Sequence, residues 1–157
     1  MRFSLKLGEE AYIELGETRE ELIYRLDKSK IKYTIPYDKT SSNENVKVKE
    51  TILHIVDLAI EVSIRNDIVQ YIKSKSNQYT NVYAITPGKT CSASDLIQVK
   101  RKVAELFSID ENKILIENTN LRTLETVMIV DDSINKVRIH LMPDMRGNVF
   151  VGTLKYV

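Results

Sequence analysis

From Leu58 to Arg65 the chain alternates: Leu58, Ile60, Val62 and Ile64 interleave with Ala59, Glu61, Ser63 and Arg65. A period of two sends successive side chains to opposite faces of a pleated strand, so the pattern predicts a strand buried on one face. Asn66-Asp67 interrupts it with two turn formers, and an apolar run returns from Ile68 to Ser74, which predicts a hairpin over 58–74. The stretch RFSLKL at 2–7 has the same rhythm, with Phe3, Leu5 and Leu7 on one side of a half-buried strand.

Elsewhere the period lengthens. Past Gly16, Thr18 is followed three residues later by Glu21, the spacing of a capping box. The Thr18 hydroxyl is expected to take the amide of the third helical residue while the Glu21 carboxylate reaches back. Glu17, Glu20 and Glu21 all suit the positive end of a helix dipole. Leu22, Ile23 and Leu26 supply a buried stripe, and the helix is expected to end near Ser29. Ile31 to Tyr37 reads as a strand closed by Pro36, and residues 38–45, polar and without apolar anchors, read as a loop.

In the second half Leu96, Val99, Val103, Leu106 and Phe107 define an amphipathic helix, with Lys100, Arg101 and Glu105 opposite. Ser92 or Ser94 caps it in this reading, with Asp95 helping the dipole. Beyond the turn Asp110-Glu111-Asn112, strands are expected at 113–117, 123–130, 136–142 and 148–156, with turns at Asp132-Ser133 and from Asp144 to Gly147. Strands in series, not alternating with helices, predict an α+β fold: an antiparallel sheet with two main helices packed against it. Residues 1–157 are expected to form one domain. Its halves, 1–80 and 81–157, share a helix-plus-meander pattern without a residue-level repeat.

Composition narrows the partners. The 157 residues are 43% hydrophobic and 29% charged, a globular balance able to bury a core. Basic residues number 23 and acidic 22, split as 13 and 13 over residues 1–80 and as 10 and 9 over 81–157. A nucleic-acid binder carries a basic excess, so none is expected as partner. The single cysteine, Cys91, permits no internal disulfide. No apolar run matches a secretory leader or the roughly 20 residues of a membrane span, so a cytoplasmic protein with no membrane contact is expected.

Candidate chemistry is sparse. Gly88-Lys89-Thr90 ends like a phosphate-binding loop, but the first glycine of that motif would fall at position 83, which is Tyr83. Pro87-Gly88 then reads as a turn, and Cys91 as a small loop residue. The two histidines, His54 and His140, are far apart in sequence, so neither a metal nor a cofactor is expected. His54 sits in Ile52-Leu53-His54-Ile55-Val56 and reads as a satisfied core histidine. Around Val137, Ile139 and Leu141, the intervening Arg138 and His140 share the opposite face. His140 could serve there as a general base beside Asp144 or Asp132, with Arg138 steadying an anion. Otherwise both meet solvent or a partner. Lys100-Arg101-Lys102 reads as a solvated helix face. Tyrosine and arginine are favoured anchors of interfaces, which singles out Tyr79, Tyr83, Arg138 and His140 as partner-binding residues.

The order Gly16-Glu17-Thr18-Arg19-Glu20-Glu21-Leu22, then a strand, a polar turn and a strand from Leu58 to Val69, resembles small bacterial proteins of the toxin-immunity type. It is also similar to the helix-then-meander modules of small inhibitor proteins. The resemblance implies a non-enzymatic protein that neutralises a cognate toxin domain by direct binding, and it carries over no site residue. Immunity proteins that neutralise nucleases are often acidic, and this chain departs from that. A small enzyme using His140, or a structural or phage-type assembly protein, stand as the alternatives.

Overall fold

In the computed structural model the described residues are 3–8, 10–43, 45–75, 81–84, 93–120, 125–132, 135–143 and 148–157, with the backbone alone at 81–84, 93–94 and 132. A short hairpin of β1 (Ser4–Lys6) and β2 (Tyr12–Glu14) leads into helix α1 (Arg19–Lys28). Four strands follow: β3 (Thr34–Asn43), β4 (Val46–Ile55), β5 (Ile60–Arg65) and β6 (Ile68–Ser74). Then come β7 (Asn81–Ala84), helix α2 (Ala93–Phe107), β8 (Ile114–Thr119), β9 (Thr126–Asp132), β10 (Asn135–Pro143) and β11 (Asn148–Tyr156). The fold is α+β, and every strand pairing is antiparallel. Eight strands lie in the order β3-β4-β5-β6-β11-β10-β9-β8, and β7 pairs with β11 beyond the end of β6.

The 58–74 pattern produces its hairpin for the reason it implied. Val62 and Ile64 point inward with almost no exposure, and Asn66 and Asp67 both take positive φ, 50° and 64°. Two left-handed residues in succession match the right-handed twist of the strands they join. Leu58 belongs instead to a single 3₁₀ turn, Val56–Leu58, which links β4 to β5.

Helix α1 starts at Thr18, whose hydroxyl accepts the Glu21 amide at 3.2 Å. The return half of the expected box differs: the Thr18 hydroxyl donates to the Glu21 carboxylate at 3.0 Å. Glu17 also departs from expectation. Its side chain is only 1% exposed and accepts 2.7 and 3.0 Å contacts from Arg25 Nη1, which also donates to the Tyr12 carbonyl. Burial pushes the Glu17 carboxyl above its ordinary value, while the Glu14 amide and Arg25 pull it back. This pair ties α1 to β2. Gly16 (φ 88°) lets the chain enter the helix beneath Tyr156, whose hydroxyl a Cβ there would strike.

Residues 38–45, expected as a loop, are mostly strand: β3 runs to Asn43 and pairs with β4 down to Val46. This end of the ribbon is exposed on both sides, so no buried face imposes an alternation on its sequence. Pro36 sits within edge strand β3 at a register shift, where a missing amide donor costs no ladder bond. In α2, Val99, Val103, Ala104 and Phe107 are buried, whereas Leu106 is 38% exposed and does not belong to the stripe.

Buried residues from Phe3 to Leu154 form one cluster that joins the β1–β2 hairpin, both helices and the inward positions of the sheet. The Phe3 and Phe107 rings meet at 5.5 Å within it. Burying one such large side chain stabilises by roughly 1.5–3 kcal/mol, so this side of the sheet carries the fold. Among the described residues, no helix is long and apolar enough to cross a membrane.

Candidate functional site

Because inward positions alternate with outward ones, the other side of the sheet can be built rung by rung. One row runs across the strands through direct cross-strand partners: Tyr37, Ile52, Ser63, Tyr71, Lys155, Arg138, Ile129 and Leu115. The adjacent row runs Thr34, His54, Glu61, Lys73, Thr153, His140, Val127 and Asn118. Every member is half-buried or exposed, and Leu115 is 67% exposed. Seven strand intervals of about 4.8 Å make this face about 34 Å wide.

The first row is apolar and aromatic with a cationic centre. The Lys155 ammonium lies 5.9 Å from the centre of the Tyr71 ring, within cation–π reach. Arg138 Nε is 3.4 Å from Glu117 Oε2, an ion pair without hydrogen-bond alignment, and this Nε–H finds no acceptor among the described residues. Glu117 reaches Arg138 because a register shift between Ile116 and Asn118 inserts it as an extra residue in β8.

The second row is polar, with a histidine–carboxylate contact near each end. His54 Nε2 lies 3.0 Å from Glu61 Oε1, and His140 Nε2 lies 3.2 Å from Glu125 Oε1. Between them Lys73 and Thr153 face each other across the β6–β11 seam. A second shift, between His140 and Leu141, places Gly152 as the extra residue of β11, against the Met142 side chain.

Arg138 and His140 therefore do share the face that the strand pattern gave them. His140 pairs with Glu125, which lies outside the strand that carries it. Asp144 and the Asp132 side chain lie outside the described residues, as do Tyr79, the Tyr83 side chain, Cys91, the 85–92 stretch and the Ser92 cap; Ser94 lies inside α2, which starts at Ala93, and so does not cap it. His54 corrects a sequence expectation. Its neighbours Leu53 and Ile55 are fully buried, but the imidazole alternates with them and is 40% exposed. Its apolar neighbours hid that parity. Tyr37 and Tyr71 fall in the tyrosine-bearing stretch that the sequence offers as a partner surface, whereas Lys73 and Lys155 join the face only through the β6–β11 pairing.

A different group of charges gathers where α1 meets the β3–β4 ribbon. Arg19 Nη2 is 3.2 Å from Asp38 Oδ2, the Thr51 hydroxyl donates to Asp38 Oδ1 at 2.9 Å, and Lys49 pairs with Asp67 at 3.3 Å. The Thr51 hydroxyl, with Arg19 behind it, holds the Asp38 carboxyl below its ordinary value. These charges are mutually paired. Among the described residues, no group of three or more His, Cys, Asp or Glu is placed to hold a metal ion.

Comparison with family models, with curated proteins and with solved structures finds no match to this chain.

Proposed function

We propose that the protein is a non-enzymatic, cytoplasmic binding module that docks a protein partner on the outward face of its sheet. The observation that carries this reading is the row Tyr37, Ile52, Tyr71, Lys155, Arg138, Ile129 and Leu115, in which apolar and aromatic side chains flank two cations. Aromatic residues and arginine are the side chains most often found as interface anchors. A face about 34 Å wide and about 20–25 Å along the strands offers roughly 700–850 Å², close to one partner's share of a standard interface. The partner's matching surface is acidic. Lys155, exposed at the centre of the row, has no carboxylate ion pair among the described residues, so a carboxylate across the interface would complete it.

The biological form we propose is toxin immunity, as the resemblance around Gly16 to Leu22 implies, with a cognate toxin domain as partner. We also read the chain as two alike halves. Helix α1 precedes the meander β3–β6, and α2 precedes β8–β11; the two meanders meet antiparallel at β6 and β11. The segment before α1 bonds the start of β6, through Gly16 N to Val69 O and Val69 N to Glu17 O. In the same way β7, before α2, pairs with the start of β11. The docking row would then cross the seam between halves.

Co-expression tests the reading. A toxin encoded beside this gene should stop growth alone, and the wild-type chain should restore it. The Tyr71→Ala/Arg138→Ala variant should fold and fail to rescue. Full rescue by that variant would remove the face from the mechanism.

A further inference from the structure

At the β4 end of the polar row, the reversal from β4 into β5 borders an open concavity of about 410 Å³. That volume lies within the range of small-molecule sites. Its polar wall is built across three strands. His54 and Glu61 are direct cross-strand partners, and Lys73 stands opposite Glu61 on β6. Lys75 is fixed beside them because its amide donates to the Ala59 carbonyl at 3.1 Å. Ala59 itself holds a left-handed conformation (φ 52°), which turns the chain sharply enough to bring Val56 to the rim. Ile55 and Ile60 also border it, but their side chains are buried in the core, so Val56 and Ala59 present the exposed apolar surface.

Two features are unexplained by folding. Val56 is 69% exposed, although valine gains by leaving water. Lys73 and Lys75 converge on the concavity with no carboxylate ion pair among the described residues, because Glu61 is engaged by His54. A cationic edge beside an exposed apolar rim is the complement of an amphiphilic anion. Glu61 lies in the same wall and opposes a second negative charge, so a monoanion fits better than a phosphate dianion.

We propose that this concavity binds a small organic carboxylate bearing a short apolar chain. Lys73 and Lys75 take the carboxylate as point charges, and Val56 and Ala59 cover the chain. His54, Glu61 and Lys73 belong to the polar row of the same face, but binding is read on the isolated protein with no partner present, so its failure would leave the docking row untouched.

The test is a titration of the whole chain, isotope-labelled for NMR, with sodium hexanoate, sodium acetate and inorganic phosphate at constant ionic strength. Hexanoate should give saturable shifts at Val56, Ala59, Lys73 and Lys75. It should bind at least about tenfold more tightly than acetate, since each buried methylene is worth about fourfold. Lys73→Ala/Lys75→Ala should abolish saturation. Val56→Ser should weaken hexanoate about fivefold and leave acetate unchanged. Lys113→Ala, an exposed lysine elsewhere, is the control. All variants are at exposed positions, and their spectra report directly whether they fold. Shifts that grow linearly, spread over all lysines or persist in the double variant would overturn the site. Tighter binding of phosphate than hexanoate at the same residues would overturn the assignment of a carboxylate with an apolar chain.

Discussion

The two faces of the sheet are made by the same strands and do opposite work. On β10, Val137, Ile139 and Leu141 are essentially unexposed, while Arg138 and His140 between them stay half-exposed, Arg138 in an ion pair with Glu117 and His140 in hydrogen-bond contact with Glu125. On β4, Leu53 and Ile55 are fully buried and His54 is not. The inward set closes one hydrophobic cluster with the helices. The outward set contributes little to folding, because exposed pairs and cross-strand contacts are each worth under about 1 kcal/mol. Substituting one set should therefore change stability and substituting the other should change binding.

Four variants sharpen or break that division. The largest effect on stability belongs to Ile139→Ala, which leaves a cavity in the closed cluster and should cost about 2–5 kcal/mol in denaturant unfolding. Next is Glu17→Ala. It removes the carboxylate that faces Arg25 and should cost about 3 kcal/mol, since a largely buried guanidinium loses its counter-charge. Equal stability of wild type and either variant, measured by the same unfolding curve, would contradict the packing described for that side. Tyr71→Ala with Arg138→Ala comes third, at about 1 kcal/mol of stability or less. The same pair should lower partner affinity by about 30-fold or more.

The smallest effect belongs to Asp38→Asn, at an exposed site. The native state holds this carboxyl below its ordinary value, mainly through the Thr51 hydroxyl. Its contribution is thus present above the unfolded value of about 3.8 and lost as pH falls through the lower folded value. Melting curves of wild type and variant should differ slightly at neutral pH and converge in acid. A gap that widened in acid would reverse the assigned sign.

How much of this was legible in the sequence follows from the same division. Where one face is buried, alternation has a cause, so the β5–β6 hairpin, the β9–β11 meander and the capped start of α1 could be read directly. The β3–β4 ribbon could not, because from Asp38 to Asn43 both sides meet solvent and cross-strand backbone bonds alone hold the strand. Leu106 was misplaced for a different reason: its neighbour Ala104 is small enough to pack closely, and it turns the buried line of α2 away from the larger side chain. The site was partly legible. Arg138 and His140 followed from β10 alone, but their neighbours Tyr71, Lys73 and Lys155 come from strands that meet only in the folded sheet. Glu17 looked like a dipole partner because sequence spacing cannot reveal that Arg25 folds back over Tyr12, 3.7 Å from its ring centre.

The most direct test of the docking face is calorimetric titration of the purified protein with the toxin encoded beside its gene. Wild type, Tyr71→Ala/Arg138→Ala and Lys102→Ala, a control on the exposed side of α2, would be compared. The account predicts tight binding by wild type and control and a loss of about 30-fold or more in the double variant. Equal affinity of all three proteins, or no binding by the wild type, would contradict it.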